Sequence, residues 1–181
     1  KTPLNGYEKI TKVMKQTVAF FESQGATIIE LDQIIDSTAI DLSFRVMLFE
    51  FKDGLNKYLR NLGSAVQVRD LEDLIDKTFT DSVEMKYNKH DLFKIAQSKG
   101  NLDSEDYQKS LETMLHLSRE RGIDLIMDEY DLDAIVTPAG GTAWKTDLIN
   151  GDKMEVSSAS PAAIAGYPNI VVPMGQIDGL P

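Results

Sequence analysis

A run of serines near a lysine is the stretch of this sequence whose residue types could do covalent chemistry. Residues 156–168 read VSSASPAAIAGYP and hold Ser157, Ser158 and Ser160, and Lys153 precedes Ser157 by four positions. A serine hydroxyl becomes a nucleophile when a neighbouring base removes its proton, and a desolvated lysine can be that base. One hypothesis is therefore a self-sufficient serine hydrolase that uses Ser157 or Ser158 with Lys153.

The sequence around these serines favours a structural role instead. Gly151 and Asp152 indicate an irregular loop rather than a helix that would bring Lys153 beside Ser157. No glycine-rich segment adjoins the serines to supply an oxyanion hole from backbone N–H groups. Ser160 precedes Pro161, which predicts Ser160 as the N-cap of a short helix with proline at its first position. Considered alone, the serines are predicted to be turn and capping residues.

The sequence gives little support to a catalytic histidine or to a metal site. His90 lies among charged residues and His116 at the border of an apolar helix face, so neither is predicted to belong to a catalytic triad. Asp128, Asp131 and Asp133 are spaced as in a calcium loop, but the glycine and the distal glutamate of that motif are missing. These aspartates are predicted to form a solvated helix end.

The segment GGTAWKT (140–146) resembles a phosphate-binding loop because it follows a predicted strand and ends in Lys-Thr. That motif needs a glycine immediately before the lysine, so that backbone N–H groups can surround the phosphates. Trp144 occupies this place, and nucleotide binding is rejected.

Composition sets the class of protein. The chain has 181 residues, of which 42% are hydrophobic and 27% charged, and we predict a single domain over 1–181 without an internal boundary. The net charge of -10 argues against nucleic acid, and no apolar run is long enough for a bilayer. Absence of cysteine excludes Cys-ligated metals and fits a cytoplasmic location, with secretion left open because the chain begins as if in mid-sequence.

Hydrophobic periodicity predicts long helices that alternate with short apolar strands. This alternation indicates an α/β protein, a layered α/β/α fold with a mixed central sheet. Asp178 and Gly179 predict a hairpin turn after the last strand. The predicted helices span about 7–24, 37–62, 70–75, 92–96, 104–126 and 161–165, the strands 26–31, 132–136 and 169–174, and a surface loop 80–90.

Four stretches carry a resemblance to a known family. They are LFEFKDGLNKYL (48–59), SRERGIDLIMDEYDLDAIVTP (118–138), LDAIVTPAGGTAW (132–144) and LINGDKMEVSSASPAAIAGYPNIVVPMGQIDGLP (148–181). Together they resemble the C-terminal half of an amidase signature enzyme, most closely the amidases of peptides and simple carboxamides. The resemblance implies a truncated part of that fold.

The resemblance also implies where the chemistry lies. Such enzymes use a Ser-Ser-Lys triad whose serines belong to a Gly-Gly-Ser-Ser-Gly-Gly stretch of the N-terminal half, and no such stretch occurs in residues 1–181. The chain is therefore expected to carry no catalytic residue and to be inactive by itself, and no metal or organic cofactor is implied. Ser157, Ser158, Ser160, Thr137 and Trp144 are expected to border the substrate pocket.

Two alternatives remain open at this stage. One is the A subunit of a glutamine-dependent tRNA amidotransferase, although the acidic residue expected before Ser157 is replaced by Val156, with Glu155 displaced by one. The other is a non-catalytic binding module on the same scaffold. The expected partners are a small-molecule or peptide amide, the missing N-terminal half and, through exposed edges, a second copy of the chain; neither nucleic acid nor a membrane is expected.

Overall fold

The structure, a computed structural model, describes residues 8–87, 90–151 and 158–180. These residues form helices joined by turns and irregular segments. The helices are α1 (Glu8–Ser23), α2 (Ser37–Arg60), α3 (Leu71–Thr80), α4 (Glu84–Tyr87), α5 (Asp91–Gln97), α6 (Glu105–Ser118), a π-helix (Arg119–Ile123), α7 (Asp124–Glu129) and α8 (Ser160–Ala165).

The predicted α/β fold with a mixed central sheet is wrong for the described residues, which form isolated β-bridges and no sheet. The three predicted strands, 26–31, 132–136 and 169–174, are irregular. Several of their apolar side chains are also exposed, with 86% of Ile170, 71% of Val171 and 54% of Val136 accessible to solvent. A β-branched run becomes a strand only when another strand takes up its backbone N–H and C=O groups. Within the described residues these runs find no such partner.

Most of the predicted helices are confirmed, with changes in detail. α1 ends before Gly25, whose φ of +92° lies in the left-handed region, as expected of a terminating glycine. The loop predicted at 80–90 contains the short helix α4. Ser160 is the first residue of α8 rather than its N-cap, a position held by Ala159 without a side-chain hydrogen bond.

The predicted hairpin turn is confirmed at the end of the chain. Ile177 and Leu180 form an antiparallel bridge, in which each N–H donates to the carbonyl of the other at 2.8 and 3.0 Å. Asp178 and Gly179 between them both have positive φ, 53° and 81°. Positive φ at both central residues is the requirement of a type I′ turn, which an Asp-Gly pair meets readily.

The chain forms two compact units, residues 38–114 and residues 1–37 with 115–181. The absence of an internal domain boundary stays a prediction, because compact units can belong to one folded domain. In the first unit the apolar core joins α2, α3 and α5. It is built on the buried residues Leu48, Leu71 and Ala96, against which Leu55, Leu74, Ile75 and Phe93 pack.

The start of α3 is fixed by reciprocal hydrogen bonds. The Asp70 carboxylate accepts from the N–H of Asp73 at 3.0 Å, and the Asp73 carboxylate accepts from the N–H of Arg69 at 2.9 Å. The amide oxygen of Asn56 on α2 accepts from the N–H of Leu71 at 2.8 Å. Three N–H groups without helical acceptors are thereby paired, which ties α3 to α2.

Lys52 of α2 links that helix to the end of α5. Its ammonium donates to the carbonyls of Gln97 and Lys99 at 2.8 and 2.7 Å. The last carbonyls of a helix lack helical donors and carry partial negative charge, so a cation there stabilises the helix end.

Tyr107 of α6 is a buried aromatic residue of this unit. Its ring lies 5.6 Å from that of Phe49, and its hydroxyl donates to the carboxylate of Glu50 at 2.8 Å. Burial, this hydrogen bond and the negative charges of Glu50 and Asp53 raise the pKa of Tyr107 to about 12.

In the second unit the C-terminal segment lies along α1. A Cβ atom on Gly175 would lie 3.0 Å from Cγ1 of Val13, and Asp178 forms an ion pair with Lys9 one turn earlier on the same helix. Ile10 of α1 and Ile35 are buried in this unit. The hairpin turn is therefore held against α1 from the side that carries Lys9 and Val13.

Across the described part of the chain, every helix is too short or too polar to cross a bilayer.

We expect Lys52→Met to destabilise the chain. The substitution keeps the aliphatic stem but removes the donor from two carbonyls, which should lower the free energy of unfolding by about 1–3 kcal/mol. Lys57→Met is the matched control, because Lys57 is exposed and makes only a 2.6 Å ion pair with Asp53 one turn away, worth about 0.5 kcal/mol. Urea denaturation measures both; equal losses would show that the two carbonyl contacts contribute nothing.

Tyr107 should make stability fall at high pH. Its folded pKa of about 12 exceeds the unfolded value of 10.0, so the neutral phenol contributes its full stability below pH 10 and loses it as the pH rises to about 12. Over that window the unfolding free energy should fall with an extra slope of up to about 1.4 kcal/mol per pH unit.

Tyr107→Phe should remove this extra slope, while Tyr58→Phe, which changes a tyrosine 61% exposed, should keep it. Denaturant titrations over the same pH range supply the comparison. Parallel pH curves for the unmodified chain and Tyr107→Phe would contradict the assignment.

Candidate functional site

The serine-bearing segment enters the described structure at Ser158 and runs directly into α8. The N–H of Ser158 donates to the carbonyl of Ala139 in a long hydrogen bond of 3.5 Å. Ala139 follows Thr137 and Pro138, so the structure brings Ser158 next to the segment that carries another predicted site residue. Ser160 is half-buried at the start of α8.

Thr137 and Trp144 are the other predicted site residues that the structure describes. Thr137 is exposed, and Trp144 lies in the irregular segment before Gly151 with 43% of its surface accessible. Ser157 and Lys153 lie outside the described residues, as do Glu155 and Val156. The hypothesis that pairs Lys153 with Ser157 therefore falls outside the described residues, as does the prediction against it.

α8 is short and sharply ended. Pro161 stands in its first turn, and Gly166 ends it with a φ of 70° in the left-handed region. The N–H groups of Gly166 and Tyr167 donate back to the carbonyls of Ala163 and Ala162 at 3.4 and 2.9 Å. A glycine in this conformation closes a helix at little steric cost, and the pattern satisfies two of its last carbonyls.

Arg119 contacts the end of α8 from the π-helix. Its Nε donates to the carbonyl of Ala165, which is fully buried, at 2.7 Å. Its guanidinium carbon lies 5.7 Å from the centre of the Tyr167 ring, within the range of a cation–π contact. A Cβ atom on Gly166 would come within 3.3 Å of Nη2, so the guanidinium fits closely against the glycine.

Tyr167 is held from its other end by Asp124. The phenol donates to the Asp124 carboxylate at 2.6 Å, and this hydrogen bond is the main reason that the pKa of Tyr167 is raised. The backbone N–H of Asp124 in turn donates to the carbonyl of Arg119. Both side chains that hold Tyr167 thus come from residues joined by one π-helical hydrogen bond.

The π-helix depends on Gly122. This residue is buried, and a Cβ atom there would lie 2.8 Å from the carbonyl oxygen of Leu117 and 3.0 Å from Cγ2 of Ile35. Contacts below 3.0 Å with backbone require a shift of the chain. The φ of −123° and ψ of −107° at Gly122 are non-helical, so the single long helix predicted from 104 to 126 is interrupted by a kink at this residue, where only glycine fits.

The sequence analysis missed Arg119, Asp124 and Tyr167 as functional candidates. The available signal was Gly122 on the buried face of a helical pattern, since an isolated glycine inside a helix often has a packing reason. Nothing in the sequence indicates that Arg119 would reach a carbonyl 46 residues later, because the acceptor is a backbone atom.

Both histidines face acidic side chains. Nε2 of His90 lies 3.3 Å from Glu84, and its ring stacks on that of Phe93 at 5.1 Å. Nδ1 of His116 lies 3.3 Å from Glu120, one turn further along the chain. In residues 8–87, 90–151 and 158–180 no cluster of three or more His, Asp or Glu side chains suits a metal ion.

The segment that carries Ser158 and Ser160 is contacted at both of its ends. Ser158 and Ser160 bring hydroxyls and backbone polar groups to a segment fixed at Ala139 on one side and at Arg119 on the other. Such an arrangement suits the wall of a binding pocket, where a few fixed polar groups orient a ligand.

The chain is similar to known proteins in both sequence and structure. The sequence matches the family described as Amidase over residues 4–181. The peptide amidase PAM in complex with the competitive inhibitor chymostatin is similar in structure over the whole chain, with a TM-score of 0.90 and 31% identity. The native peptide amidase from Stenotrophomonas maltophilia has a TM-score of 0.85 and 30% identity, again over the whole chain. PAM12A has a TM-score of 0.88 and 30% identity over the same length.

The chain spans only 37% of the length of the PAM structure and 36% of the other two. No curated protein matches the chain.

Gly122→Ala should disrupt the π-helix. The added methyl group must displace the Leu117 carbonyl or Ile35, and overpacking of this kind costs about 1–3 kcal/mol. Gly54→Ala in α2 is the matched control: nothing lies within 4 Å of its added Cβ, and alanine should stabilise that helix by about 0.5–1 kcal/mol. Urea denaturation of both variants tests this, and a Gly122→Ala variant as stable as the unmodified chain would contradict it.

Proposed function

Since this chain belongs to the amidase family, we propose that it is the C-terminal part of an enzyme that hydrolyses a carbon–nitrogen amide bond. One observation carries the proposal: the whole chain matches a peptide amidase at a TM-score of 0.90, yet it covers 37% of that protein. The substrate class proposed is a peptide or simple carboxamide.

The covalent chemistry is proposed to belong to residues outside this chain. Amide hydrolysis by a serine enzyme forms a bond between the hydroxyl oxygen and the amide carbon, expels ammonia or an amine, and lets water release the acid. The Gly-Gly-Ser-Ser-Gly-Gly stretch expected to hold a Ser-Ser-Lys triad is not found in residues 1–181. The chain by itself is therefore proposed to be inactive.

The part played by this chain is to shape the acyl side of the pocket. The contact between Ser158 and Ala139 supports this role, because it joins the serine segment to the Thr137 segment. Ser160 continues the same wall, and the half-exposed indole of Trp144 offers an apolar surface to a substrate side chain. Ser157 is proposed as a further member.

The proposed partner is the N-terminal half of the same protein. Ile170, Val171 and Val172 are 86%, 71% and 67% exposed, although all three are apolar. A contiguous apolar run of this kind is unfavourable in water and is covered when a neighbouring surface packs on it. We therefore expect the other half to bury this run.

Ammonia release from a peptide carboxamide tests the proposal. The 181-residue chain should release none and should resist a serine-directed fluorophosphonate, whereas addition of the upstream half should produce both activity and labelling. Ser158→Ala should raise the KM of the combined protein about tenfold with a smaller change in kcat, since it alters the binding wall and not the nucleophile.

Each other outcome points elsewhere. Ammonia release by the chain alone, abolished in Ser158→Ala, would establish a self-sufficient serine hydrolase. Release from free glutamine but not from peptide amides would identify the amidotransferase activity. A combined protein that binds no label and hydrolyses no amide would leave a binding module and overturn the proposal.

A further inference from the structure

We infer that Arg119 is a positioning residue, which holds the segment carrying Ser158 and Ser160 in place from the C-terminal end of α8. The importance of this segment for substrate binding rests on the proposed function, whereas the contact of Arg119 with the end of α8 rests on geometry alone.

α8 cannot keep its position unaided. It has six residues, and isolated helices shorter than about 12–15 residues are marginal in water. Its placement must therefore come from tertiary contacts. Two of these contacts lie at its ends: the long hydrogen bond from Ser158 to Ala139 before it, and the contacts of Arg119 and Asp124 after it.

The Arg119 contact is the stronger of the two ends. A charged donor at 2.7 Å from a buried carbonyl makes a charge-assisted hydrogen bond, which is stronger than a neutral one. The carbonyl of Ala165 is also the negative end of the short helix, which a cation complements. The bond from Ser158, at 3.5 Å between two neutral groups, is weaker.

The kink in this helical region explains how the side chains of Arg119 and Asp124 can both contact Tyr167. Residues five apart on an α-helix point about 140° away from each other. The kink at Gly122, where φ is −123° and ψ is −107°, interrupts this regular geometry, and the N–H of Asp124 bonds to the carbonyl of Arg119. The guanidinium then lies over the ring of Tyr167 while the carboxylate accepts its hydroxyl, so the residue after Gly166 is fixed at both its face and its tip.

Amide hydrogen exchange on the 181-residue chain tests the hold without any assumption about activity. In Arg119→Gln the amides of Ala163 and Tyr167 should exchange about tenfold faster, while those of α2 keep their protection and report an intact fold. Arg121→Gln is the matched control: Arg121 is exposed and lies two residues further along the same π-helix. In Arg121→Gln the amides of α8 should exchange as they do in the unmodified chain.

Unchanged exchange at Ala163 and Tyr167 in Arg119→Gln would overturn the inference. Arg119→Lys supplies a graded test, because an ammonium can donate to the Ala165 carbonyl but cannot lie flat on Tyr167. Its exchange rates should fall between those of Arg119→Gln and the unmodified chain.

Kinetics of the protein joined to its upstream half test the positioning role. Arg119→Gln should raise the KM for a peptide carboxamide about tenfold, with a smaller fall in kcat, and Arg119→Lys should recover part of the loss. Faster exchange of α8 together with an unchanged KM would make Arg119 merely structural and overturn its positioning role. Failure of the unmodified joined protein to release ammonia would overturn the proposed function, and the exchange experiment would still decide whether Arg119 holds α8.

Discussion

The space around Gly122 constrains the whole region described as the candidate site. A carbonyl oxygen and an isoleucine methyl group occupy the volume that any side chain would need there. The backbone is non-helical at Gly122, and the kink there joins the helical segments that carry Arg119 and Asp124, both of which contact Tyr167. π-Helical turns are rare and are frequently found at functional sites, where they redirect side chains that a regular helix would separate.

Both compact units use the same device to fix a helix end. Lys52 donates to the carbonyl of Gln97 at the end of α5 and to that of Lys99 just beyond it, and Arg119 donates to the carbonyl of Ala165 at the end of α8. In each case a long cationic side chain of another element neutralises the negative end of a short helix. Short helices gain little from their own hydrogen bonds, so their positions depend on such contacts and change when one of them is lost.

Local patterns in the sequence were sufficient for the parts of the fold that local forces determine. The spacing of apolar residues located α1, α2 and α5, and the Asp178-Gly179 pair located a turn that needs two positive φ values. The prediction of a sheet was wrong because β-propensity is a property of single residues, whereas a sheet requires two segments that pair with each other. The run from Ile170 to Val172 has the composition of a strand and no partner among the described residues.

The candidate site was only partly predictable for a related reason. Ser158, Ser160 and Thr137 were named as candidates because serines, prolines and a resemblance to amidases drew attention to them. Arg119 was not, because its acceptor is a main-chain oxygen far along the sequence, and such an acceptor leaves no trace in residue type. The π-helix was missed because one buried glycine in a helical pattern does not reveal whether the turn around it is regular.

That Arg119 recognises a main-chain oxygen has a consequence for how this region can evolve. Every amino acid at position 165 presents the same carbonyl, and the turn at Gly166 sets its direction. The hydrogen bond from Arg119 therefore does not depend on which side chains stand at 162, 163 and 164, provided that the backbone keeps its position. Sequence variation along this helix is therefore compatible with an unchanged hydrogen bond from Arg119 to its last carbonyl.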